Sequence, residues 1–228
     1  MTYFKSAPAP GKLLIIKAAL QLAVHTRSIR ALGVREIGRQ AGLNPNTFYR
    51  HFKDMDDLGL AILDQVVGEL RPQLHELRLK TAQAILSHAG ATAADATLEQ
   101  RAMGIKAVVE EMVRHFFDFV LKNQEAFILG VSELHGASPV LRKALRDVIE
   151  TFTADKANDI VALNLLPQLT PAQVSDISAT FVYRMFYWSA EFIERPERRP
   201  QIIVEANQMM TWLIAGAVAV TAASQPDS

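Results

Sequence analysis

Asn46, Thr47 and Arg50 carry side chains that can hydrogen-bond the edges of bases, and Tyr49, His51 and Lys53 carry groups suited to phosphate oxygens. All six fall within NPNTFYRHFK, residues 44–53. Asn44-Pro45 is a helix start signal. The asparagine side chain can accept a backbone N–H, and proline needs no donor at the first position. On that helix, at about 100° per residue, Phe48 and Phe52 fall about 40° apart and form one apolar face. Counted from Phe48, Asn46, Arg50 and Thr47 lie opposite, near about 160°, 200° and 260°. Tyr49 and His51 take the flanks, near about 100° and 300°. A helix seated in a major groove needs this division, with base readers central and phosphate contacts at the sides. It spans about seven residues, roughly 10 Å, so neighbours must hold it.

The neighbours are legible. Within the stretch from Val34 to Lys53 a first short helix leads to a tight turn at Gly42, and places Arg35 and Arg39, four apart, on one face, with Arg35 close enough to its start to reach DNA. A first helix from about Lys12 to His25 carries an apolar stripe of Leu13, Ile16, Leu20 and Ala23. Residues 1–10 read as a mobile arm carrying Lys5. Asp54, with Asp57 three residues on, opens a long helix striped by Leu58, Ile62, Val66 and Leu70, which Pro72 should kink or restart. Ser87 to Ala96 reads as a loop. Further helices are expected over about 98–122 (Val109, Met112, Phe116, Phe119 and Val120 inward), 125–134, 138–165, 170–194, and from Pro200 to about Ala223. No segment alternates with period two, so the fold class expected is all-α. It divides into a DNA-binding domain, residues 1–54, and an effector-binding and dimerisation domain, residues 55–228.

The charge pattern agrees. The chain carries 24 Lys and Arg against 24 Asp and Glu. Residues 1–53 hold nine of those bases and one acid, Glu36, leaving 15 bases and 23 acids in the remainder. A basic segment on an acidic body suggests a polyanion partner for the first segment alone. Zero cysteines exclude disulfides and thiolate chemistry and fit a cytoplasmic setting. The apolar run Leu13 to Val24 is broken by Lys17 and lacks a cleavage site, so it does not read as a signal peptide. Met209 to Ala223 holds fifteen residues without a charge, short of the ~20 needed to cross a bilayer. Its small residues suit a second helix at close range, so the expectation is a homodimer through the last two helices, not a membrane contact. A two-fold dimer presents two reading helices to a palindromic double-stranded DNA site.

Catalytic patterns are wanting. Glu111 and His115 sit four apart, whereas a di-iron bundle repeats a three-residue spacing. Zinc-protease, phosphate-loop and nucleophile-elbow motifs do not occur, so no enzyme activity, metal or cofactor is expected. Phe116, Phe119, Phe127, Phe186 and Trp188 are candidate lining for an apolar effector pocket, although the same spacing also describes ordinary core. A lipid-binding, membrane-peripheral protein is the rival from another class, and it leaves the basic segment unexplained.

The words VREIGRQAGLNPNTFYRHFKDMDDL, TFYRHF above all, resemble the DNA-binding domain of the tetracycline-repressor (TetR) family. Within it, the run through FYRHFKDMDDLGLAI is similar to the fatty-acid-biosynthesis repressor subgroup, and the similarity continues more weakly through FFDFVLKNQEAF, SPVLRKALRDVIETF and NLLPQLTPAQ. The resemblance implies a homodimeric repressor with a three-helix DNA-binding domain and a helical domain that holds a small hydrophobic effector. In the subgroup the effector is a long-chain acyl thioester. Other members govern efflux or catabolic genes through other hydrophobic ligands. Carried over by position, Arg35, Pro45, Asn46, Thr47 and Arg50 would approach bases, and Tyr49, His51 and Lys53 phosphates. Gly33 stands where the family often caps with Ser or Thr, and Gly38 where alanine is usual. Ser132–His135 lacks the subgroup's arginines, and the stretch 81–97 is longer than typical.

Overall fold

A computed structural model describes residues 9–88 and 98–223, with side chains described for 9–80 and 106–223. Every regular element among them is helical, as the absence of period-two alternation predicts. In chain order they are α1 (Pro10–Thr26), α2 (Val34–Ala41), α3 (Phe48–His51), α4 (Met55–His88), α5 (Leu98–Lys122), α6 (Gln124–Glu133), α7 (Pro139–Ala162), α8 (Pro171–Glu194) and α9 (Arg199–Ala223). The arm expected before Pro10 and the loop expected before Leu98 lie mostly outside the described residues.

Prolines punctuate the chain as their lost N–H requires. Pro10, Pro139 and Pro171 each stand at the first position of a helix. Thr170 and Gln173 close a reciprocal capping box at the start of α8. Of the two outcomes expected at Pro72, the helix does not restart, because α4 runs on through it as one 34-residue helix.

The chain forms two compact units, Met1–Gly68 with Asn123–Asp147, and Glu69–Lys122 with Val148–Ser228. In the first, Ile15, Ala19, Ile29, Ile37, Phe48, Phe52 and Leu58 build a core to which α6 adds Leu129 and α7 adds Leu141. Gly59 permits the approach of Leu141, whose Cδ2 would stand 2.8 Å from a Cβ at that position. Two stripes need correction. On α1, Leu13 is 41% exposed, and Ile15 and Ala19 join Ile16 and Ala23 inside. On α5, Val113 and Phe117 are buried with Phe119 and Val120, while Val109, Met112 and Phe116 are only half-buried.

In the second unit α5, α8 and α9 pack together, with Phe117 stacked on Phe192 at 4.2 Å between centroids. A ladder of ion pairs ties α4 to α7. Arg71 meets Asp155 at 2.5 Å, and Asp159 receives both Arg78 at 2.5 Å and His75 at 3.1 Å. Arg71 holds the Asp155 carboxyl below the usual carboxylate range.

Candidate nucleic-acid interface

The Asn44 cap forms as expected, but residues 45–51 fold in two pieces where one helix of about seven residues is expected. Pro45–Thr47 forms a 3-10 turn that leads directly into α3. The Asn44 side chain accepts from the Asn46 N–H at 2.9 Å. Phe48 and Phe52, each 2% exposed, anchor the segment with ring centroids 5.5 Å apart. Phe52 itself has left the helix for extended backbone. The long helix behind it is fixed by a second cap, in which Asp54 accepts from the Asp57 N–H and Asp57 accepts from the Lys53 N–H, both at 2.9 Å.

Between α2 and this segment lies a tight turn. Gly42 closes α2 at φ 65°, and the Leu43 N–H returns to the Gly38 carbonyl at 2.9 Å. Gly38 packs closely on the start of that segment, since a Cβ there would meet the Pro45 Cα at 3.1 Å. The glycine in place of alanine therefore has a packing reason. Gly33 caps α2 with no side-chain hydrogen bond.

The predicted contact residues divide by exposure. Arg35, Asn46, Tyr49, Arg50 and Lys53 are exposed, Tyr49 at 65%. Pro45, Thr47 and His51 are half-buried. Pro45 faces Gly38, and the His51 imidazole covers Gly11, where a Cβ would meet its Nε2 at 2.9 Å. The Tyr49 and Phe48 rings meet in a T-shaped contact at 5.4 Å, which gives the exposed tyrosine an apolar footing. Among the described residues, the charges of Arg35, Arg50 and Lys53 meet no carboxylate. Arg30, by contrast, is spent internally on Asp56 at 2.5 Å and depresses that carboxyl's pKa.

Sequence reasoning missed Glu133 of α6. It is 2% exposed, and its Oε1 accepts from the Ser28 hydroxyl and the Ile29 N–H, each at 2.8 Å. It thereby caps the turn that joins α1 to α2. Nothing local in Ser132–His135 signals a partner more than 100 positions away.

Of the proposed pocket residues, Phe119 and Trp188 are buried and Phe116 and Phe186 half-buried in the second unit, whereas Phe127 belongs to the first. Trp188 lies under the Arg184 guanidinium at 4.3 Å. Glu111 pairs with Arg114, and His115 Nε2 stands 3.2 Å from the Gln73 amide oxygen. Among the described residues no cluster of three or more His, Cys, Asp or Glu could hold a metal ion.

A capped, aromatic-anchored short helix beside a second helix across a glycine turn defines a helix-turn-helix protein. Residues 15–62 match the family of bacterial regulatory proteins, tetR family. The whole chain has the fold of TetR-type transcriptional regulators. It is similar to the fatty acid degradation regulator FadR from Bacillus halodurans, with a TM-score of 0.57 at 16% identity over 92% of this chain and 98% of that one. It is also similar to a chain assigned to the tetR family of transcription regulators from Shewanella sp. PV-4, with a TM-score of 0.54 at 18% identity over 90% and 96% of the two chains.

Proposed function

We propose that this protein is a homodimeric transcriptional repressor that binds a palindromic operator and is gated by an apolar small molecule. The observation that carries the reading is that Asn46, Tyr49, Arg50 and Lys53 stand exposed, with no carboxylate against Arg50 or Lys53 among the described residues, on a segment that Phe48 and Phe52 lock in place. Asn46, Thr47 and Arg50 read bases with Arg35 and Pro45 alongside, and Tyr49, His51 and Lys53 hold phosphates. The apolar interior of the second unit, with Phe117, Phe181 and Phe192, suits a hydrophobic effector. An acyl-bearing ligand and control of lipid genes are the preferred class, in keeping with the fatty-acid regulator among the similar folds. Gating acts through α4, whose residues belong to both units. Its strength equals the ligand's differential affinity for two settings of that helix.

Gel retardation of a palindromic fragment from the upstream region of the protein's own gene tests the interface. Arg50→Ala should weaken binding by about 1–3 kcal/mol, and Tyr49→Phe by less. Affinity should fall steeply as salt rises, because phosphate contacts release counterions. Full affinity in both variants would refute the assignment of this helix to the groove.

A further inference from the structure

Lys156 is half-buried overall and lies on the inward stripe of α7. Ile149, two turns before it, and Ile160, one turn after it, are both buried. Among the described residues the Lys156 amine meets no anion. The Nζ stands 3.8 Å from the Met210 sulfur of α9 and 4.9 Å from the centre of the Phe181 ring of α8. The two carboxylates on its own helix are engaged, Asp155 with Arg71, and Asp159 with Arg78 and His75. Burial, with the Arg78 guanidinium adding like-charge repulsion, pushes the amine down to about 7.

A second observation lies one helical turn from the residues that Lys156 touches. Ser178, three positions before Phe181, is 0% exposed and its hydroxyl has no partner among the described residues. The Asn207 side-chain oxygen, three positions before Met210, is also buried and unpartnered, as is the Trp188 indole nitrogen further along α8. Buried polar groups are almost always satisfied, and unsatisfied ones call for an explanation. Here α7, α8 and α9 bring several to the interior of one unit.

We propose that Lys156 anchors the carboxylate of an otherwise apolar effector, with the Ser178 hydroxyl as a second donor and Phe181 and Met210 against the first carbons of its chain. One ammonium matches a monoanion. A doubly charged phosphate would leave a charge unbalanced, because the neighbouring guanidinium, Arg78, is already held by Asp159. The proposal rests on the ligand-gated reading above and specifies what its ligand must carry.

Calorimetric titration of the delipidated full chain with dodecanoic acid and with its methyl ester is the test. The wild type should prefer the acid by about tenfold or more. Lys156→Met should lose that preference while still binding the ester, Lys156→Arg should keep most of it, and Ser178→Ala should reduce it. Equal binding of acid and ester by the wild type, or an intact preference in Lys156→Met, would overturn the anchor and leave the apolar-effector reading standing. Failure of both probes to bind the wild type would count against the effector reading itself, and the anchor would fall with it.

Discussion

At Gly42 the backbone needs a left-handed conformation, and no other atom lies within 4 Å of where a Cβ would be. The cost of a side chain there is therefore backbone strain alone, about 1–2 kcal/mol. Gly42→Ala should lower the unfolding free energy by about 1 kcal/mol in urea titrations, and Gly42→Asn by less, since asparagine tolerates this region. Lys156 has the opposite sign. Its amine titrates near 10.5 when unfolded and near 7 when folded. The unfolded chain thus binds the extra proton between those values. The penalty is fully present below pH 7 and fades as pH rises toward 10.5. Lys156→Met should therefore stabilise the protein more at pH 6 than at pH 9.5, and an equal gain at both would contradict the burial of the amine. Residues whose roles are local were legible in sequence. Asn44 caps its own turn, and Phe48 and Phe52 share a face by spacing alone. The settings of Pro45 and His51 depend on Gly38 and Gly11, which spacing along α3 does not reveal. Lys156 left a weak signal, a charge on an otherwise apolar stripe of α7.

Between helices, magnitudes separate two ion pairs that look alike on paper. Arg71 is half exposed where it meets Asp155, whereas the Arg78 side chain is 8% exposed where it meets Asp159. Asp155→Ala should cost under about 1 kcal/mol, as exposed pairs do. Asp159→Ala strands a buried guanidinium and should cost about 3 kcal/mol or more. Denaturant unfolding of both variants checks the ranking, and similar losses would show that α4 and α7 are held by something other than Arg78. Element boundaries were mostly readable because prolines and caps announce them. The faces were less so. On α5, Val109–Met112–Phe116 and Val113–Phe117–Val120 are both apolar at helical spacing, and it is Phe192 of α8, stacking on Phe117, that marks the inner one. At Pro72 the helix continues instead of restarting, since tertiary packing can carry a helix past a residue that would break it in isolation.

On the scale of the molecule, α9 remains underpacked. Its charge-free run is fifteen residues, yet the whole stretch Pro196–Ala223 is by length and composition long and apolar enough to cross a membrane, and only 17% of its most apolar window is buried in this chain. Val204, Trp212 and Val220 are exposed on it, and Tyr183 on α8. The proposed reading of a palindromic operator would place a second copy of the chain on this face. Trp212→Glu should yield a folded monomer in sedimentation experiments that no longer retards the palindromic fragment. A variant that remains dimeric would remove α9 from the interface. The two tryptophans of the chain stand in opposite surroundings, Trp188 at 4% exposure and Trp212 at 69%. Indole emission moves to shorter wavelength as water leaves its surroundings. The protein therefore carries two optical reporters with separate addresses. In Trp188→Phe the remaining emission should track assembly as concentration rises, and in Trp212→Phe it should track occupancy of the interior.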